Sequence, residues 1–125
     1  MIILLNPRSA RWNHRIPLSI LAVGSGLEGT YPYEIIDENF DPNIEGTLSA
    51  SIQQHAVRYC ALTVMPGPQL ARAVALSKWL RITFPHVSII WGGTFPTIHT
   101  DTALSADYVD YVVRGQGEST FRELI

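Results

Sequence analysis

The sequence predicts a three-layer αβα sandwich built on a five-stranded parallel sheet. Short apolar segments of strand length alternate with segments of helical periodicity along the 125 residues. Strands that are apolar almost throughout are typical of a parallel sheet covered by helices on both faces. With right-handed crossovers, five such strands favour the flavodoxin-like (Rossmann-like) strand order 2-1-3-4-5.

Each strand is predicted from a short apolar or β-branched run. The five runs are Ile2–Leu5, Tyr33–Asp37, Tyr59–Val64, Val87–Trp91 and Asp110–Val113. The third run is apolar almost throughout, so we expect that strand at the centre of the sheet.

Between these runs, apolar residues recur at helical spacing. The predicted helices start at Pro17, Thr47, Pro68, about His99 and Glu118. The third helix, which ends before Pro85, has the clearest apolar stripe: Leu70, Ala73, Leu76, Leu80 and Phe84. The last helix has no end signal where the sequence stops at Ile125, so we expect residues 1–125 to be one domain of a longer chain.

Composition excludes several classes of protein. A content of 46% hydrophobic and 16% charged residues argues against disorder, and a net charge of −2 offers no basic surface for nucleic acid. Cys60 is the only cysteine and lies in an apolar run, so we expect a buried thiol and no internal disulfide. The apolar start is too short for a signal peptide and no run reaches a membrane-spanning length, which predicts a cytoplasmic protein.

The segment Gly24–Gly29 matches the dinucleotide-binding pattern G-x-G-x-x-G, and Asp37 follows it. That chemistry requires the glycines directly after the first strand, at the start of a helix. Here they end the first predicted helix and lead into the second strand. We therefore interpret them as left-handed glycines at a helix C-terminus.

Other functions of five-stranded α/β domains lack their residues. A phosphate-accepting receiver needs an aspartate after the third strand, where this chain has Val64 and Met65. The loop after the first strand has no glycine for a flavin phosphate. Its three arginines, Arg8, Arg11 and Arg15, suit either an anion or a solvated loop. The histidines are scattered without metal-ligand spacing, and only His14 lies in a loop at the ligand-binding edge.

Two glycine-rich turns follow the fourth and fifth strands. They are Trp91–Thr97 and Arg114–Glu118. Because ligands of open α/β sheets bind at the carboxyl ends of the strands, we expect function at these turns.

Together these motifs resemble the cobalamin-binding domain that precedes the radical S-adenosylmethionine (SAM) domain in a large enzyme family. The resemblance covers nearly the whole chain and is strongest at the two turns. In that family the nucleotide tail of cobalamin enters a slot between the ends of the third and fourth strands. The resemblance implies that Thr63 and Met65 line one side of the slot and Gly92 and Gly93 the other.

The resemblance also implies cofactor-binding roles outside the slot. These residues are Asn6, Pro7, Pro17, Thr94, Phe95, Gly115, Gly117 and Glu118. From the residues alone, the alternative is a buried strand threonine at 63 and two turn glycines that need positive φ.

The chain departs from the wider cobalamin-binding pattern in two places. Classes that ligate cobalt with histidine carry Asp-x-His-x-x-Gly after the first strand, whereas this chain has Asn6–Arg11 there. The resemblance therefore implies base-off cobalamin without a histidine ligand and no protein metal ligand. Relatives often have histidine where Phe95 stands, and we expect Phe95 to pack on the corrin or on its own loop.

The resemblance implies a cobalamin-binding module without turnover of its own. Its partner would be a radical SAM domain with a Cys-x-x-x-Cys-x-x-Cys motif, a [4Fe–4S] cluster and SAM, and that motif is absent from this chain. The whole enzyme would transfer a methyl group to an unactivated carbon, or form or rearrange a ring. The alternative is a flavodoxin-like interaction or sensor domain without a cofactor.

Overall fold

The computed structural model describes residues 1–9, 18–114 and 124, with the backbone alone for residues 18–22. Within this part of the chain, five parallel strands form one sheet in the order β2-β1-β3-β4-β5. The predicted fold class and strand order are confirmed. The strands are β1 Ile2–Asn6, β2 Tyr33–Asp37, β3 Tyr59–Thr63, β4 Ser88–Gly92 and β5 Tyr111–Val112.

Helices connect the strands. They are α1 Leu18–Leu27, α2 Ile44–Gln54, α3 Pro68–Thr83, α4 Thr94–Ile98 and α5 Thr100–Leu104. A single 3-10 turn, Glu38–Phe40, follows β2. No helix among the described residues is long and apolar enough to cross a membrane.

The two faces of the sheet are covered by different helices. Along β1, Ile3 and Leu5 join a core cluster that includes residues of α2, α3 and α5, whereas Ile2 and Leu4 join a second cluster with Leu27 of α1. This alternation follows from the two-residue period of a strand. All five residues of β1 are buried, as expected for a strand at the centre of a three-layer domain.

The segment after β4 differs from the prediction. A single helix was expected from about His99 to Ser105, but α4 begins at Thr94 and α5 follows after a break at His99. Gly93 has φ +100°, which lets the chain turn from the strand directly into a helix. His99, at φ −116° and ψ 51°, interrupts the helical path. The second predicted helix also begins earlier, at Ile44 rather than Thr47.

The Gly24–Gly29 segment lies at the end of α1, away from the start of any helix, as predicted. Only Gly29 has positive φ, +78°, whereas Gly24 lies inside the helix. A Cβ on Gly24 would come 2.8 Å from Cε2 of Tyr33 and 3.4 Å from Cδ1 of Leu4. Gly24 therefore allows α1 to pack closely on the sheet, which the left-handed interpretation did not foresee.

Candidate functional site

Three predicted site residues lie in one row across the central strands. Thr63 pairs with Gly92 in the register of β3 and β4, and Leu5 pairs with Leu62 in that of β1 and β3. Asn6 follows Leu5, so Asn6, Thr63 and Gly92 end three adjacent strands at the same level. The structure thus brings the predicted residues to the carboxyl edge of the sheet, where α/β domains bind ligands.

Gly93 is required by the fold. Its φ of +100° lies in the left-handed region, which L side chains rarely adopt. A Cβ at this position would also be 3.1 Å from Oγ1 of Thr63 and 3.1 Å from both the nitrogen and the oxygen of Val64. The close packing of the β4 turn against the end of β3 therefore explains this glycine without any ligand.

Gly92 is different. It does not have positive φ, so the alternative interpretation, in which both turn glycines need positive φ, is wrong for this residue. Among the described residues, the only atom within 4 Å of a Cβ at Gly92 would be the carbonyl oxygen of Val113, at 3.8 Å. Gly92 is also only half-buried. Neither its backbone conformation nor its described neighbours require a glycine there.

Backbone hydrogen bonds join the ends of β3 and β4. The Val64 N–H donates to the Gly92 carbonyl at 2.8 Å, and the Phe95 N–H donates to the Val64 carbonyl at 3.0 Å. These bonds hold the Gly92-Gly93 turn against the segment that leads to Met65. The two sides of the predicted slot are therefore held at a fixed spacing.

Phe95 is half-buried and belongs to an aromatic cluster. Its ring centroid lies 6.2 Å from that of Trp91, in an edge-on arrangement, and 5.1 Å from that of His99. Trp91 is itself anchored by a hydrogen bond from Nε1 to Oγ of Ser77 at 3.0 Å. Phe95 was expected to pack on the corrin or on its own loop. In the structure it packs on His99 of its own loop and on Trp91 of β4.

Three predicted site residues at this edge differ in their exposure to solvent and in their polarity. Thr63 is half-buried rather than buried, Thr94 is exposed at the start of α4, and Met65 is 52% exposed. The flexible thioether side chain of methionine adapts its shape to a partner surface. Met65 can therefore provide an adaptable apolar wall beside the polar hydroxyl of Thr63.

Asn6 and Pro7 are buried in a polar network. Asn6 Nδ2 donates to Oδ1 of Asp37 at 3.1 Å. Gln69 Nε2, from the first turn of α3, donates to Oδ1 of Asn6 at 3.0 Å and to the carbonyl oxygen of Pro7 at 2.9 Å. Oε1 of Gln69 accepts the N–H of Met65 at 3.0 Å. The loops after β1 and β3 are thereby joined.

An ion pair between the buried Glu38 and the partly exposed Arg72 lies next to this network. Glu38, only 1% exposed, accepts hydrogen bonds from Nε and Nη2 of Arg72 and from the N–H of Arg8, the last at 2.7 Å. Glu38 raises the pKa of Arg72 above its usual value, mainly through these hydrogen bonds. The pair connects the end of β2, the loop after β1 and α3.

The sequence-based prediction did not include Gln69, Glu38 or Arg72. A signal for Gln69 was available, since position 69 lies four residues before Ala73 and so falls on the apolar stripe of α3. A polar residue on such a stripe needs buried partners. No comparable signal identified Glu38, because its partners are 30 or more residues away in the sequence.

No group of three histidine, cysteine or acidic residues suited to a metal ion occurs in residues 1–9, 18–114 and 124. Cys60 is fully buried, and loss of solvation raises the pKa of its thiol to about 12. The predicted site residues Pro17, Gly115, Gly117 and Glu118 lie outside the described residues, as do Arg11, His14 and Arg15.

A known enzyme is similar in sequence to nearly the whole of this chain. The anaerobic magnesium-protoporphyrin IX monomethyl ester cyclase of Synechocystis sp. is 29% identical over 134 residues, which cover 99% of this chain and 27% of the cyclase. This chain thus spans about a quarter of the length of that relative.

Solved structures agree on the fold. The radical S-adenosylmethionine methyltransferase TsrM of Kitasatospora setae superimposes with a TM-score of 0.79 at 20% identity, covering 98% of this chain and 24% of TsrM. The response regulator RcsB of Salmonella typhimurium has a TM-score of 0.59 at 17% identity, covering 99% of this chain and 58% of RcsB. At these identities the similarity shows the fold alone.

The family comparison is more specific. The family model described as the B12 binding domain matches residues 14–125, which is most of the chain and includes both glycine-rich turns. The cyclase match supports the same assignment over nearly the full sequence. The chain belongs to the B12-binding domain family and resembles the cobalamin-binding domains of radical SAM enzymes.

Proposed function

We propose that this chain binds cobalamin at the carboxyl edge of its sheet and serves as the cofactor module of a radical SAM enzyme. The observation that carries the proposal is Gly92. This residue is half-buried at the end of β4 and lies beside Thr63, a predicted site residue at the end of β3. No described contact requires it to be glycine. A bound cofactor that lies against the backbone would require it.

The residues present fit such a group. Thr63 would offer a hydroxyl to the nucleotide tail and Met65 an apolar wall, while Gly92 and Gly93 would let the tail approach the backbone. Thr94 and Phe95 would border the slot where α4 begins. We further propose that Pro17, Gly115, Gly117 and Glu118 contribute from the remaining edge.

Asn6 and Pro7 would act differently. Both residues are buried, and the Asn6 side chain and the Pro7 carbonyl oxygen are hydrogen-bonded within the protein, so we propose that they shape the loop on which the cofactor rests rather than contact it. No histidine lies between Asn6 and Arg11, which supports binding of cobalamin in its base-off form without a histidine ligand.

Bound cobalamin would supply a cobalt centre that carries a methyl group or an electron. A radical SAM domain would supply the [4Fe–4S] cluster and SAM. The similarity to a porphyrin-ester cyclase supports ring formation as the reaction class, and the family resemblance implies rearrangement or methyl transfer at an unactivated carbon as the alternatives.

The test is a visible-absorption titration of the protein with cobalamin, with Gly92→Val as the key variant. We expect saturable spectral changes of base-off type for the wild type and loss of binding for Gly92→Val, with unchanged circular dichroism. Ala75→Val is a matched control, because it adds a branched side chain at an exposed position of α3.

Two results would contradict the proposal. Absence of binding by the wild type at high micromolar cobalamin would favour the interaction or sensor domain. Unchanged affinity of Gly92→Val would show that the cofactor does not approach this strand end.

A further inference from the structure

The loops after β1 and β3 diverge at the carboxyl edge of the sheet. Helix α1, which follows β1, packs on one face of the sheet, and helix α3, which follows β3, packs on the other face. In doubly wound sheets, loops that diverge in this way form the ligand crevice. Without a link between them, the spacing of the two loops would depend on the strands alone.

Gln69 provides that link. Both hydrogens of its Nε2 are used, one on Oδ1 of Asn6 and one on the carbonyl of Pro7, and its Oε1 accepts from the N–H of Met65. Only one orientation of the amide satisfies these partners. The reverse orientation would place its oxygen against two acceptors and its NH₂ against a donor.

Gln69 does not itself face a ligand. It is 3% exposed and follows Pro68 in the first turn of α3, so the rigid helix determines its position. Arg72, one turn later, makes a second tie through Glu38 to the N–H of Arg8. The same face of α3 thus holds the loop after β1 at two points, and through Gln69 it also holds the loop after β3.

We infer that Gln69 is a positioning residue for cobalamin, which sets the distance between the β1 loop and Met65 before the cofactor arrives. This inference rests on the proposed function. Because the loops are held in place without ligand, binding would lose less entropy than it would between two independent loops. The consequence is that a change at a buried residue should weaken binding of a cofactor that it does not touch.

The experiment uses Gln69→Met, which keeps the length of the side chain and removes all three hydrogen bonds. We expect the Met65 amide hydrogen to exchange with solvent at least about tenfold faster than in the wild type. The Phe95 amide, bonded to the Val64 carbonyl, should exchange at an unchanged rate. Cobalamin affinity should fall about tenfold.

Ser51→Ala is the control for lost stability. Ser51 is buried in α2, and its hydroxyl donates a hydrogen bond to a carboxylate oxygen of Glu34 near the start of β2, so its loss also removes a hydrogen bond but lies away from the carboxyl edge of the sheet. Compared at equal fraction folded, Ser51→Ala should bind cobalamin as the wild type does.

A second variant, Gln69→Glu, separates hydrogen bonding from packing. The introduced carboxylate would face the oxygens of Asn6 and Pro7 and be repelled by them, whereas its protonated form can donate to one of them. We therefore expect its cobalamin affinity to rise as the pH falls from about 7 to about 5, relative to the wild type measured alongside.

The outcomes are distinguishable. If the wild type does not bind cobalamin, the proposed function fails, and amide exchange at Met65 still decides whether Gln69 holds the loop. If the wild type binds and Gln69→Met binds equally well, or if Met65 exchange is unchanged, the positioning role is overturned while the proposed function stands.

Discussion

Replacement of Gly93 by alanine tests whether the fold, rather than a ligand, explains this glycine. At φ +100° and ψ −165°, the backbone of Gly93 lies in a region that is almost restricted to glycine and costs an L-residue about 1–3 kcal/mol. The new Cβ would also meet three atoms at 3.1 Å, and two of them belong to the Val64 backbone, which is held by hydrogen bonds and cannot move aside easily. Overpacking of this kind costs about 1–3 kcal/mol.

We therefore expect Gly93→Ala to lower the free energy of unfolding by about 2–6 kcal/mol, measured by chemical denaturation without cofactor. The matched control is Gly92→Ala, whose Cβ would have one neighbour at 3.8 Å among the described residues. We expect that variant to change stability by less than about 0.5 kcal/mol. Equal stability of Gly93→Ala and the wild type would refute the reasoning, as would a larger loss for Gly92→Ala than for Gly93→Ala.

Three further predictions concern residues away from the β4 turn. Glu38→Gln should lower the free energy of unfolding by about 2 kcal/mol, because Arg72 loses its charged partner, and a denaturation midpoint equal to that of the wild type would contradict this. Gly24→Leu should destabilise the protein by about 1–3 kcal/mol through its clash with Tyr33, yet leave cobalamin affinity unchanged; lost affinity at equal folding would revive a ligand role for this motif. Cys60 should resist thiol reagents at about pH 8 in the native protein. Since its pKa is raised from 9.0 to about 12, the folded state keeps the thiol proton longer than the unfolded state, so stability should fall as pH rises between those values, and rapid native labelling would show that the thiol is accessible.

The elements of the fold were predictable because their signals are local. An apolar strand, an apolar stripe with a period of 3.6 residues and a proline at a helix start can each be recognised within a single segment of the sequence. The helix predicted from Pro68 to Phe84, for example, is observed as Pro68–Thr83. The alternation of these segments then led to the strand order through the general handedness of crossovers. The helix break at His99 was not predicted, because it depends on backbone angles that the residue type does not indicate.

The candidate site was predictable in part. The sequence pointed to the ends of β3 and β4, but it treated Gly92 and Gly93 alike. Their difference depends on which atoms surround each position, and those atoms come from Thr63, Val64 and Val113. Conformation and packing explain Gly93, whereas no described contact requires glycine at position 92.

By itself, then, the sequence determined the fold class, the edge of the sheet where function is expected and the cobalamin-binding resemblance, since each rests on periodicity or on motifs contiguous in the chain. Only the tertiary structure decided how that edge is held together. Gln69 contacts residues more than 60 positions earlier, and Glu38 meets Arg72 across 34 positions. Such pairs form because the sheet brings distant strand ends together and burial requires every polar group to find a partner, and no local pattern of residues encodes which partner it will be.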